Sequence, residues 1–146
     1  MRRALAVPSC PHAFLAGMCA AALLSMGHAP AQAQSKDQLL KDFAQQIYAV
    51  SSKDVHNDRP QPLLRAVVVL RVKLNEQGRW QGEVFRDNPN QPEMTKKAMD
   101  SVAALAPPKD LSAEAVALLR QEGLIEAWLF QTDGRYALKT LAKAQR

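Results

Sequence analysis

Between Leu64 and Leu74 the sequence alternates with a period of two: Leu64, Ala66, Val68, Leu70, Val72 and Leu74 fall on one side, and Arg65, Val67, Val69, Arg71 and Lys73 on the other. Side chains that alternate this way belong to an extended strand, because successive Cβ atoms point to opposite faces of a sheet. One face is wholly apolar and must be buried, whereas the other mixes valines with cations and tolerates water. That combination predicts an antiparallel sheet covered on one side. Asn75-Glu76-Gln77-Gly78 then has hairpin turn chemistry, and Arg79 to Arg86 forms the return strand with Trp80 and Val84 on one side. An all-helical fold and a parallel sheet are both excluded by this reading.

The flanking segments supply helices to cover the apolar face. Ser35 to Val50 is amphipathic, with Leu40, Phe43, Ile47 and Val50 recurring at spacings of three and four. Its stripe either folds back on the sheet of its own chain or pairs with a second copy as a dimerisation arm. Ser51 to Pro62 is a polar connector. Asp87-Asn88-Pro89-Asn90 breaks the second strand, and a helix starts near Gln91, with Asn90 and Glu93 spaced as a capping box and Met94, Ala98, Val102 and Leu105 along one face. Ala106-Pro107-Pro108 stops it. Leu111 to Gly123 is a further short helix, with Ser112 as its cap and Gly123 beyond its end. Leu124 to Gln131 reads as a third strand, Thr132-Asp133-Gly134-Arg135 as a turn, and Tyr136 to Leu141 as either a fourth strand or a frayed tail. The expected fold class is α+β, a small antiparallel sheet of three to four strands packed by helices.

The N-terminus predicts a compartment. Arg2 and Arg3 precede an apolar run from Ala13 to Met26, and Ala31-Gln32-Ala33 is a small-x-small cleavage pattern, so residues 1–33 read as a secretory signal peptide. The apolar run is shorter than the roughly 20 residues that span a bilayer as a helix, so no membrane span is expected after cleavage. A lipid-modified Cys19 would need a small residue where Met18 stands. Cleavage removes Cys10 and Cys19 and leaves a domain with no thiol, hence no disulfide and no thiolate metal site. Of 19 basic residues, loss of Arg2 and Arg3 leaves 17 against 14 acidic, a mild excess with no basic run. Nucleic acid is therefore not an expected partner. The organisation is a leader at 1–33, a helix and linker at 34–59, and an α+β domain at 60–146.

No residue pattern calls for catalysis, a metal or a cofactor, and the protein is read as a non-enzyme. After cleavage His56 is the one histidine, in Asp54-Val55-His56-Asn57-Asp58, and a metal site needs three or four converging ligands. Ser51, Ser52, Ser101 and Ser112 lack a nucleophile-elbow context. The glycines that remain, Gly78, Gly82, Gly123 and Gly134, suit turns and caps rather than a phosphate loop. The alternative functional class is a small periplasmic enzyme or enzyme inhibitor using the loop around His56.

The run Val67-Val68-Val69-Leu70-Arg71-Val72-Lys73-Leu74-Asn75, the turn Gln77-Gly78-Arg79-Trp80 and the strand end Val84-Phe85 resemble the paired strands of the TonB and TolA C-terminal domain-like family. Pro92-Glu93-Met94, Lys97 to Val102 and the stop at Ala106-Pro107-Pro108 are similar to that family's helix and its end, and Leu124 to Phe130 would be its third strand. Two departures stand out: Gln61-Pro62-Leu63 where the family has a Tyr-Pro pair, and Asp87-Asn88-Pro89 where it has Ser-Ser-Gly. The resemblance implies a periplasmic domain of the cell envelope whose edge strand accepts an extended peptide from an envelope or outer-membrane protein. The strand Leu124 to Gln131 is the expected edge, with Leu124, Glu126, Trp128, Phe130 and Gln131 as partner-binding residues. The competing expectation is that Trp128, Leu129 and Phe130 are core and that Tyr136 to Leu141 already covers this edge.

Overall fold

The computed structural model describes residues 34–143. The expected leader, with Cys10, Cys19 and the cleavage pattern, lies outside the described residues. The elements are α1 (Lys36–Val50), β1 (Ala66–Leu74), β2 (Trp80–Arg86), α2 (Pro92–Ala103), α3 (Ala113–Gln121), β3 (Leu124–Phe130) and β4 (Tyr136–Leu138). The four strands form one antiparallel sheet in the order β2-β1-β3-β4. This is the α+β architecture expected from the strand and helix periodicities.

The strand with the alternating pattern sits at the centre. Ala66, Val68, Leu70, Val72 and Leu74 are buried, while Val67, Val69, Arg71 and Lys73 are only half-buried. All three helices cover the first face: Phe43 and Ile47 of α1, Ala98 and Val102 of α2, and Leu119 of α3 join β1 and β3 residues in one apolar cluster. Phe43 meets Trp80 and Trp128 edge-on, at ring centroids of 5.1 and 6.4 Å. Burial of such side chains stabilises by roughly 1.5–3 kcal/mol each. α1 therefore folds back into the core of its own chain. Its buried line runs through Leu39, Phe43, Ala44 and Ile47, whereas Leu40 is partly buried and Val50 exposed. The buried line is shifted slightly from the expected stripe, because Leu39 lies one turn before Phe43 and shares its face.

Local signals explain most boundaries. The Ser35 and Ser112 hydroxyls accept the Gln38 and Ala115 amides as N-caps, each a contribution of about 1 kcal/mol. The capping box at Asn90 and Glu93 is not formed: Gln91 is the N-cap residue of α2 and makes no side-chain cap bond. Arg65 takes both side chains instead, donating to Gln91 Oε1 at 3.1 Å and Glu93 Oε1 at 2.9 Å. Gly78 closes the β1–β2 turn at φ +72°, and Gly123 ends α3 at the same φ with its α-carbon pressed against β1. α2 crosses β2 at Gly82, where a Cβ would lie 2.9 Å from Met99 Sδ.

Candidate functional site

Sheet edges are where this fold leaves backbone hydrogen-bonding capacity unused, so the accounting starts there. The expected edge, β3, is an interior strand. It pairs with β1 from Leu124 to Phe130 on one side, and with β4 through Trp128–Leu138, Leu129–Ala137 and Phe130–Tyr136 on the other. The five residues expected to bind a partner, Leu124, Glu126, Trp128, Phe130 and Gln131, are all buried. Leu124, Glu126, Trp128 and Phe130 share the parity that faces the helices, and the turn after Gln131 brings β4 back along the strand. The segment Tyr136 to Leu141 thus supplies a fourth strand of three residues, Tyr136–Leu138.

β4 is itself covered. Tyr136 N donates to Asp54 O at 2.9 Å and His56 N to Tyr136 O at 2.7 Å, forming a parallel bridge between Val55 and Tyr136. The Tyr48 hydroxyl joins the two segments, accepting the Leu138 amide at 3.2 Å and donating to His56 O at 3.4 Å. Where β4 leaves β3 after Lys139, the buried Glu126 carboxylate takes over. Its Oε1 accepts the Ala127 amide at 2.8 Å and the Thr140 amide at 3.3 Å. Burial pushes the Glu126 carboxyl above its ordinary pKa, and the hydrogen bonds from Thr140 and Ala127 only partly oppose this.

The other end of the sheet is open. β2 is the terminal strand, and among the described residues nothing pairs along its outer side. The Asn75 amide bonds Arg79 O at 2.9 Å, which sets the phase of the β1–β2 ladder. By antiparallel alternation Gln81 and Glu83 bond back to β1, and Trp80, Gly82 and Val84 direct their N–H and C=O groups outward. The ladder shifts register between Val69 and Leu70, opposite Phe85, so the regular edge ends at Val84. Val84 lies on the same side of β2 as Trp80, as expected, but is 42% exposed, and Phe85 is 61% exposed. The Arg71 guanidinium lies over the Phe85 ring at 5.6 Å. The signal for this edge was present in the sequence as the hairpin itself, since nothing in Asp87 to Asn90 could return to pair with β2.

His56 belongs to the closed side. Its Nε2 lies 3.1 Å from Asp133 Oδ2, and Asp133 also accepts from Arg135 N and Nε at 2.9 and 2.8 Å. The Arg135 amide and guanidinium hold the Asp133 carboxyl well below the usual carboxylate range. This is a turn-stabilising cluster, and no group of three or more metal-ligating side chains occurs among the described residues. Nor, among those residues, is there a helix long and apolar enough to cross a membrane. Searches of protein-family models, curated proteins and solved structures find no match to the chain.

Proposed function

We propose that the protein is an exported protein-binding module of the bacterial cell envelope, periplasmic and not an enzyme, which takes an extended segment of an envelope or outer-membrane protein along β2. The observation that carries this reading is the open edge of β2, with outward backbone groups at Trp80, Gly82 and Val84. A partner strand completes those groups by main-chain hydrogen bonds, and its alternate side chains reach Val84 on one face or the Arg71–Phe85 pair on the other. The apparent leader and the strand-strand-helix-strand order, similar to TonB C-terminal domains, support the compartment and the mode. The edge open to β-augmentation in this reading is β2 rather than β3, because β4 and the Val55–His56 segment lie on the other side of the sheet.

Val84→Pro provides the test. Its N–H faces outward, so proline removes a bond available to a partner without breaking the β1–β2 ladder. A photoreactive residue at Glu83 should crosslink to one extended segment of an envelope protein, and Val84→Pro should abolish that adduct while the circular dichroism spectrum is retained. An adduct that survives Val84→Pro, or one mapping to a helix or globular surface, refutes strand addition at β2.

A further inference from the structure

The sheet has a second face, turned away from all three helices. Strand alternation places Val67, Val69, Arg71 and Lys73 of β1 there, with Leu129, Ala127 and Ile125 of β3 and Glu83 of β2 as their cross-strand neighbours. The two faces differ in exposure. Val68, Leu70 and Val72 have no exposed surface, whereas Val67, Val69 and Leu129 are half-buried and Ile125 is 48% exposed. The exposed Phe85 ring borders the same surface, because the guanidinium of Arg71 lies over it. Val67, Val69, Ile125, Leu129 and Phe85 thus form one apolar strip across three strands.

Cations stand on three sides of the strip. Arg71 and Lys73 lie toward the β1–β2 turn, Arg86 is paired with Val69 on the β2 side, and the exposed Lys139 follows β4, its amide bonded to Ala127 O at 3.0 Å. Glu83, 3.9 Å from Arg71, is the one carboxylate that the described strands turn to this face. Lys73, Arg86 and Lys139 form no ion pair with any described residue. The nearby Asp87 is engaged by α2, accepting from the Thr95 hydroxyl at 3.3 Å. Four cations against one carboxylate is an excess of three, as large as that of residues 34–146 together, 17 against 14. The charge excess of the domain is therefore gathered around its uncovered apolar strip. That charge selects the occupant. A second copy docked face to face would set these cations against their own images, and residues 1–33 contain arginines but no Asp or Glu. A helix fits the dimensions: β2, β1 and β3 together span about 10 Å, the width of one helix with its side chains. The same strands already carry α2 and α3 on their other face.

We infer that the helix-free face of the sheet docks an acidic amphipathic helix of a partner protein, whose apolar stripe covers Val67, Val69 and Ile125 and whose flanking carboxylates meet Arg71, Lys73 and Arg86. The surface lies on the face of the sheet, and its occupancy does not depend on strand addition at the β2 edge.

The test is a titration of the purified protein with a synthetic helical peptide of about five turns, carrying leucines along one stripe and glutamates on both flanks. Methyl resonances of Val67, Val69, Ile125 and Leu129 report the site. The same peptide with lysines for glutamates, and vesicles of phosphatidylglycerol, are the comparison probes. The glutamate peptide should shift those methyls in a saturable manner, with Kd at or below about 100 μM, and should bind several-fold more weakly at high salt. Lys73→Glu combined with Arg86→Glu, at positions without ion pairs, should weaken binding about tenfold while the circular dichroism spectrum is retained. Ile125→Asp, at an exposed position, should weaken it similarly. Non-saturating shifts, equal affinity for the lysine peptide, or affinity unchanged in the double variant overturn the proposal. Shifts confined to the Trp80, Gly82 and Val84 amides would belong to the strand edge and also overturn it. Vesicle binding without peptide binding would make the face a membrane-contacting surface and refute the helix assignment.

Discussion

Gly123 and Gly78 share the same φ of +72° but differ in what surrounds them, so one substitution at each separates backbone strain from close packing. At Gly78 a Cβ would have nothing within 4 Å. Gly78→Ala should therefore cost only the left-handed penalty of about 1–2 kcal/mol. At Gly123 the same Cβ would lie 2.7 Å from Val72 O and 2.7 Å from Lys73 Cγ. The lysine carbon can move, but Val72 O belongs to the central strand, and it can give way only if the β1–β3 pairing at Val72–Leu124 shifts. Forcing extra volume into a packed site adds about 1–3 kcal/mol, so Gly123→Ala should cost about 2–5 kcal/mol in all. Urea denaturation of both variants measures the difference, which should be at least about 1 kcal/mol with unchanged m-values. Equal destabilisation of the two variants would refute the close approach of α3's C-terminus to β1.

Three further outcomes follow from the core and its polar groups. Glu126 has a folded-state pKa raised above the unfolded value, so its contribution to stability is greatest below about pH 4.5 and is lost as pH rises through the folded pKa. Glu126→Gln should flatten that part of the pH profile of thermal unfolding relative to wild type; a parallel profile would show that the carboxyl is not buried. Tyr136→Phe removes the buried hydroxyl beside Ser51, Ser101 and the Trp128 indole and preserves the ring contact with Phe130 at 5.4 Å, so its stability should stay within about 1 kcal/mol of wild type by urea denaturation. Phe43→Ala should cost about 3–5 kcal/mol, and light scattering should show no accompanying loss of a dimer, because the ring packs against Trp80 and Trp128 of its own chain.

How much was legible in the sequence depends on the range of the interaction. β1 and the Ser35 and Ser112 caps were readable because period and capping chemistry are set within a few residues. Trp80 and Val84 do share one side, but the bulge at Phe85 leaves no mark in the β2 sequence; the shift exists only in its pairing with β1. The Asn90–Glu93 box failed because Arg65, 28 residues from Glu93, competes for the same side chain. Of the two expectations for β3, the one in which Trp128 and Phe130 are core and the segment from Tyr136 covers the strand is the one the structure has. The further cover of β4 by Val55 and of Ala127 by Glu126 joins distant segments and carries no local signal. A crevice between α1 and α2 is built from Ser51, Asp54, Lys97, Ser101 and Tyr136, contributed by three separate stretches of chain, so no motif spacing announces it.

The asymmetry between the two ends of the sheet also limits how copies of this protein can associate. With β4 covered by Val55–His56, β2 offers the longest run of outward backbone groups for an edge-to-edge contact between copies, among the described residues. Such a contact is isologous: β2 meets β2 across a two-fold axis, and the β2 edge of each copy is used up within the pair. The bulge at Phe85 shortens the shared register further. Self-association along β2 therefore closes at two copies, whereas a sheet with long open edges at both ends could propagate into a fibre.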